Sequence, residues 1–290
     1  MQTVVSTRAL RISCVFSALA GVLALITSAA GIFVHGLYRD RPFAVAVWYA
    51  DNWITLLIAV PAIAFALVPA ARGRLSAVLI LLGTAYLLLY NYAFFVFGVA
   101  LNPMFIPYAA VLSFSMFALI FGLSSLDAAA IGRRFRERIP ARWISGFLAL
   151  VALLVAWLGL TKWFLVVTAG QLPVLDASFP TEADYRVTAG IDLLLLVGPY
   201  LLGAIWLWRR RAWGYIIAVF CTIHGAILMG ALATGCFATD RAGMPGSLRN
   251  LVIWIPLGVG CLASLGFLLL NIKRSQEPAV ETARSASAAH

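Results

Sequence analysis

Eight apolar stretches, at about 12–35, 53–71, 75–98, 107–124, 143–167, 188–208, 213–234 and 250–271, leave this chain few ways to fold. Each is roughly 17–25 residues long, the length a helix needs to cross a hydrocarbon core of about 30 Å. Lipid offers backbone amides and carbonyls no partners, so such segments hide their polarity by becoming helical. The sequence therefore predicts an all-α, polytopic transmembrane bundle of about eight spans. Composition agrees, because 63% of residues are apolar and 11% charged, against about 25% charged in a soluble domain. One helical domain over 1–272 accounts for the length. The remainder, 273–290, is polar, rich in alanine and expected to be a disordered cytoplasmic tail.

The net charge of +10 does not mark a nucleic-acid binder, since no basic face or recognition module accompanies it. The basic residues sit in loops, and they sort by side. With both termini cytoplasmic, fifteen of the 21 fall inside: Arg8, Arg11, Arg72, Arg74, Arg133, Arg134, Arg136, Arg138, Arg142, Arg209, Arg210, Arg211, Lys273, Arg274 and Arg284. Six fall outside, Arg39, Arg41, Lys162, Arg186, Arg241 and Arg249. Basic loops remain on the cytoplasmic side, which fixes the expected orientation. Trp48, Tyr49, Trp53 and Trp163 are expected at the outer interface, and Trp143, Trp206, Trp208 and Trp213 at the inner one. Arg8 and Arg11 before the first span resemble a signal peptide, but its apolar stretch exceeds the ~7–15 residues of a signal core, so a retained helix is expected.

A shift of 138 residues superimposes Pro61 on Pro199 and Arg72 on Arg210. In both regions an apolar helix with an internal proline leads through a tight arginine turn into another apolar helix. This predicts a parallel repeat of four plus four spans, with halves 1–124 and 143–272, unlike the inverted repeats of many secondary transporters. Any two apolar hairpins with arginine turns would share part of this pattern. Each proline should also distort its own helix, because it lacks the amide donor.

Ionisable groups within a bilayer are expensive and therefore candidates for function. At ~1.5 Å per residue, Asp192 and Asn91 lie about 24 Å above the inner interface and Lys162 about 28 Å. Tyr90 adjoins Asn91, while His35, Asp51 and Asn52 fall at the expected outer helix ends. The expectation is an outward-opening cavity that binds a substrate through Asp192, Asn91, Tyr90, His35, Asp51 and Lys162. Each residue also has an architectural reading. Asp192 would cap the start of the sixth helix, where a carboxylate meets the positive end of the dipole. Lys162 would snorkel to headgroups, His35, Asp51 and Asn52 would be interface residues, and Asn91 would bond across helices. His224 lies near mid-membrane, about 16 Å up, apart from that cluster. A neutral imidazole bonded to a neighbouring helix suits it better than a metal or haem ligand.

Arg133, Arg134, Arg136 and Arg138 form a basic cytoplasmic loop suited to anionic lipid headgroups; fixing topology is its simpler role. Cys14, Cys221, Cys236 and Cys261 make no Cys-x-x-Cys pair and read as packing residues, with Cys236 near the outer face. Phosphate-binding glycine loops, His-Glu-x-x-His and a Gly-x-Ser-x-Gly elbow are absent from the sequence. No cofactor, metal site or catalytic residue is therefore assigned.

Asp192-Leu-Leu-Leu-Leu-Val-Gly-Pro199 followed by Arg209-Arg-Arg-Ala-Trp-Gly-Tyr215, together with Asn102-Pro103-Met-Phe, resembles a pattern in uncharacterised bacterial multi-pass membrane proteins. The resemblance touches about a fifth of the chain. It implies an all-helical protein of the bacterial inner membrane and gives no residue a role. Three functional classes stay open. The outer polar cluster and proline-bearing helices favour transport or permeation of a small or lipidic solute. An accessory, sensor or assembly subunit with a membrane-protein partner is the alternative, and an enzyme on a lipid-linked substrate at the outer face the third.

Overall fold

The computed structural model describes residues 7–135, 139–170, 182–241, 243 and 247–272. Among them eight helices are long and apolar enough to cross a membrane: α1 Arg8–Phe33, α2 Pro42–Ala71, α3 Leu75–Phe97, α4 Phe105–Ser124, α5 Ala141–Ala169, α6 Tyr185–Trp208, α7 Ala212–Arg241 and α8 Leu248–Leu270. The described residues contain no strand, only an isolated bridge between Phe135 and Ile272. The chain is a multi-pass, all-α membrane protein. The tail 273–290 and Arg136 and Arg138 lie outside the described residues, whereas Arg133 is exposed and Arg134 half-buried.

Two helices run longer than hydropathy predicts. α2 begins at Pro42 rather than near 53, and α7 continues to Arg241 instead of ending near 234. Asp51 and Asn52 in one, and Asp240 and Arg241 in the other, interrupt the apolar run without interrupting the helix. Asp51 and Asn52 are thus not at a helix end; Asp51 lies about 13 Å inside α2. Pro42 suits the first turn, where its missing amide would have had no intrahelical partner anyway.

The first four helices close on themselves: α1 packs on α2 and α4, and α3 lies between α2 and α4. Ser13 Oγ on α1 donates to the Ala118 carbonyl on α4 at 2.7 Å. Phe16 fans against Phe114, Phe117 and Phe121. Gly122 is required here, since a Cβ would collide with Leu82 and meet Ser13 Oγ at 2.8 Å. In the second group α5 packs on α6, α6 on α7 and α7 on α8. The six buried residues of α5 all fall between Ala141 and Ala152. Its far half faces outward, with Trp157, Trp163 and Phe164 exposed.

The most buried helices, α3 and α7, meet at the centre and join the two groups. The starting segment Pro42–Ile54 of α2 leans across to α7, and the segment Glu182–Asp192 leading α6 leans across to α3. Both crossing helices then widen into a π turn, Thr55–Ala59 in α2 and Leu193–Val197 in α6. These turns are 138 residues apart, the offset that also relates Pro61 to Pro199. In each, an amide bonds five residues back, Val60 to Thr55 and Gly198 to Leu193. The expected proline distortion thus takes the form of a π turn.

The arginine-rich end is tied together by side chains. Phe135 stacks on Tyr215 at 4.8 Å, and the Arg142 guanidinium lies over the Trp208 ring at 5.9 Å. Gly73, at φ +77° in the α2–α3 turn, adopts a backbone that residues with a Cβ disfavour.

Candidate functional site

The polar residues of the bundle gather on the seam where α2 and α6 cross to α7 and α3. Tyr90 on α3 donates its hydroxyl proton to Asp192 Oδ1 on α6 at 2.5 Å. Asp51, on the crossing segment of α2, is half-buried. Four residues before Tyr90, one helical turn, Tyr86 donates to the Leu195 carbonyl within the π turn. That carbonyl is free because Pro199, four residues on, has no amide to offer it.

His224 lies against these tyrosines. Its ring centroid is 4.5 Å from Tyr90, 5.1 Å from Tyr86 and 5.8 Å from Tyr200. Tyr200 Oη donates to the Cys221 carbonyl at 2.6 Å and lies 2.9 Å from His224 Nδ1. A phenol has one proton, and a carbonyl only accepts. The Tyr200 proton is therefore on the Cys221 carbonyl, and His224 Nδ1–H must donate to Tyr200. In the neutral ring this leaves Nε2 as a bare acceptor, and it has no hydrogen-bond partner. Gly225 makes room for the arrangement, since a Cβ there would stand 2.6 Å from Cys261 Sγ and 2.8 Å from Tyr200 Oη. The His224 imidazole is thus hydrogen-bonded to a neighbouring helix.

Of the six residues expected to share a cavity, Asp192 and Tyr90 are joined by a hydrogen bond, and Asp51 is half-buried on the crossing segment of α2. Asn91 is buried on the adjoining face of α3. His35 does not join them; it is exposed beyond the end of α1. Lys162 sits half-buried on α5, three residues past the Gly159 carbonyl that accepts from Tyr185. Asp192 does not cap α6, because ten helical residues precede it from Glu182. The separation of His224 from the outer cluster is also overturned by its contact with Tyr90. Distance along a helix axis had kept them apart, whereas long tyrosine side chains close the gap. Sequence reasoning missed Tyr86 and Tyr200. Tyr86 had a signal, since the 138-residue shift places it on His224.

A second polar group occupies the arginine-poor end of the first four helices. Asn52 Nδ2 donates to Tyr38 Oη at 2.6 Å, and Gly31 leaves space for both. Burial, with Tyr108 nearby, pushes the Tyr38 phenol well above its usual range, so it stays a neutral acceptor. Trp48 is buried 5.5 Å from Phe95 and is not an interface anchor, whereas Trp53 is exposed as expected. All four cysteines are free and buried, including Cys236, which lies within α7 and not at an exposed outer face.

Towards the arginine-rich end the seam turns apolar. Val78, Leu79, Leu81 and Leu82 of α3 and Ile216, Ala218 and Val219 of α7 are buried. Thr84 and Thr222, related by the same shift, turn their hydroxyls back onto carbonyls of their own helices. Among the described residues no group of three or more His, Cys, Asp or Glu side chains is placed to hold a metal ion. No protein-family model matches this chain, and neither the curated proteins nor the solved structures yield a match.

Proposed function

We propose that this protein resides in a bacterial cytoplasmic membrane with both termini inside and moves a small or lipidic solute through a polar site that opens outward between its two halves. One observation carries the reading. Asp192 lies within a spanning helix and makes its hydrogen bond across the seam to Tyr90, against which the His224 ring also packs, and Asp51 is carried by the other crossing helix. A carboxylate costs about 2.5–3.5 kcal/mol at a membrane centre on insertion scales. A role in architecture alone would not call for two of them on crossing helices. The π turns support the reading, since such turns recur at functional sites. They also supply the two helices with a place to bend. The halves are read as a parallel repeat, supported by the shared 138-residue offset of prolines, π turns, Thr84 with Thr222 and Tyr86 with His224. The apolar layer below is the inner gate in its closed state. Arg133 and Arg134 are read as contacts for anionic lipid, together with Arg136 and Arg138.

Labelling of single cysteines in right-side-out vesicles tests this. The four native cysteines are buried, so background reaction with a membrane-impermeant maleimide is low. Asp51→Cys and Asp192→Cys are expected to react from the outside, and Leu79→Cys from neither side. Reaction of the first two only from the cytoplasmic side, or not at all, overturns the outward site.

A further inference from the structure

We infer that Glu182–Asp192, the leading segment of α6, is a strap that closes the arginine-poor mouth of the seam and lifts about the π turn behind it. The inference rests on the outward-facing site proposed above and names the element that admits solute to it.

The segment is held differently from the helix it leads. Glu182, Asp184, Arg186 and Asp192 are ionisable, whereas 193–208 contains no Asp, Glu, Lys or Arg. Apolar burial, which anchors the rest of α6, therefore has little to act on here. The seat is made instead by side chains on two neighbours. Tyr185 Oη donates to the Gly159 carbonyl of α5 at 2.6 Å, and Asp192 Oδ1 accepts from Tyr90 of α3 at 2.5 Å. Between these bonds Val187 covers the end of α3, where a Cβ on Gly98 would stand 3.5 Å from its Cγ1. Each such bond contributes modestly where water can replace it, so the seat can be left and retaken.

The pivot is better fixed than the strap. The Leu195 carbonyl, inside the π turn, accepts from Tyr86, which pins the turn to α3. Gly190 and Gly198 flank the turn and Pro199 withholds an amide, so the backbone bends here at low cost. The other crossing segment is not built to move. Pro42–Ile54 buries Trp48 at 5.5 Å from Phe95, ties Asn52 to Tyr38 at 2.6 Å and packs more extensively on α7 than the strap does on α3. Motion therefore belongs to one side of the seam. Lifting the strap separates Asp192 from Tyr90 and uncovers the Tyr90 ring, with His224 packed against it. An eleven-residue helix off its seat is too short to keep its own hydrogen bonds, so lifting has a direct signature in its amides.

Hydrogen exchange of the unmodified protein in lipid nanodiscs, read by mass spectrometry, tests the inference. Amides at 187–192 are expected to exchange as one unit and faster than those at 199–208 of the same helix. Equal protection of the two parts overturns the strap. Exchange that dies away from residue 182 towards 192 is end fraying and overturns it as well. Tyr90→Phe and Tyr185→Phe remove the bonds on either side, and each is expected to speed strap exchange about three- to tenfold. Exchange in α8 should stay unchanged; a strap that neither substitution speeds, or a change that α8 shares, counts against a separate motion. Access is read independently. Adding Tyr185→Phe is expected to speed outside labelling of Asp192→Cys by a similar factor, and an unchanged rate removes the strap from its role as gate. Labelling of Asp192→Cys from the cytoplasmic side alone, with strap exchange as expected, sinks the outward site and the gate with it, while the lifting motion stands.

Discussion

The bond between Tyr90 and Asp192 is short, nearly buried and made across two helices, so its two ends respond differently to substitution. Tyr90→Phe removes the hydrogen-bond donor of Asp192 and leaves a polar group without its partner, which costs about 1–3 kcal/mol. Asp192→Asn keeps one acceptor oxygen for Tyr90, removes the charge and turns the other oxygen into an N–H donor pair, so it is expected to cost less than loss of the Tyr90 hydroxyl. Thermal unfolding of the purified variants in detergent measures both, and a Tyr90→Phe protein as stable as the parent would deny the bond its structural weight. The pair also marks how far single residues were legible. Depth along each helix correctly put Tyr90 and Asp192 at one level, because rise per residue is fixed. It misplaced His35, which lies past the end of its helix, and it separated His224 from Tyr90. Depth carries no information about which way around the helix a side chain points, and that direction decides contact.

At the scale of the helix, the π turn in α6 and Pro199 act together. Proline withholds the amide that the Leu195 carbonyl would otherwise receive, and Tyr86 of α3 supplies a hydroxyl in its place. The substitution Tyr86→Phe therefore leaves a buried carbonyl unsatisfied and is expected to destabilise by about 1–3 kcal/mol. In a Pro199→Ala background a new amide reaches that carbonyl from within the helix, and the same loss of the hydroxyl should cost clearly less. A double-mutant cycle on unfolding midpoints reads the coupling, expected within about 0.5–3 kcal/mol. Strict additivity would separate the proline from the tyrosine. The prolines were visible in the sequence and their distortion was expected; its form as a π turn was not. Helix length was partly hidden as well. A hydropathy window stops at Asp51 and Asn52, yet the backbone bonds of α2 continue past them, because a helix in the protein interior tolerates polar side chains that have partners, as Asn52 has in Tyr38.

For the molecule as a whole, the eight-span bundle was legible because the solvent imposes it: apolar length and internal backbone bonding admit few other structures. Which helices touch was not legible, since nothing in hydropathy distinguishes the central α3 and α7 from the lipid-facing α8. The contact pattern has a consequence of its own. The helices before residue 125 pack mainly among themselves, as do those after residue 140, and the seam between the groups is made by α3 against α7 and by the two crossing segments. Each group contains an even number of spans, so each can insert with both ends on the same side. Loss of the connection between them costs only the entropy of tethering, which grows slowly with loop length. The seam itself holds the Tyr90–Asp192 and Tyr86–Leu195 bonds and the tyrosine rings that meet His224 at tilted and edge-on angles. Two polypeptides, divided between residues 136 and 137 and expressed together, are therefore expected to assemble in the membrane. A tag on the first should recover the second after detergent extraction. Adding Gly83→Leu should weaken that recovery, because a Cβ at this position already lies 2.6 Å from Ile223 of α7. Recovery unaffected by that substitution would show that the two halves do not meet along α3 and α7. Recovery of neither half by the other, with both inserted, would mean that the covalent link and not the seam holds the bundle together.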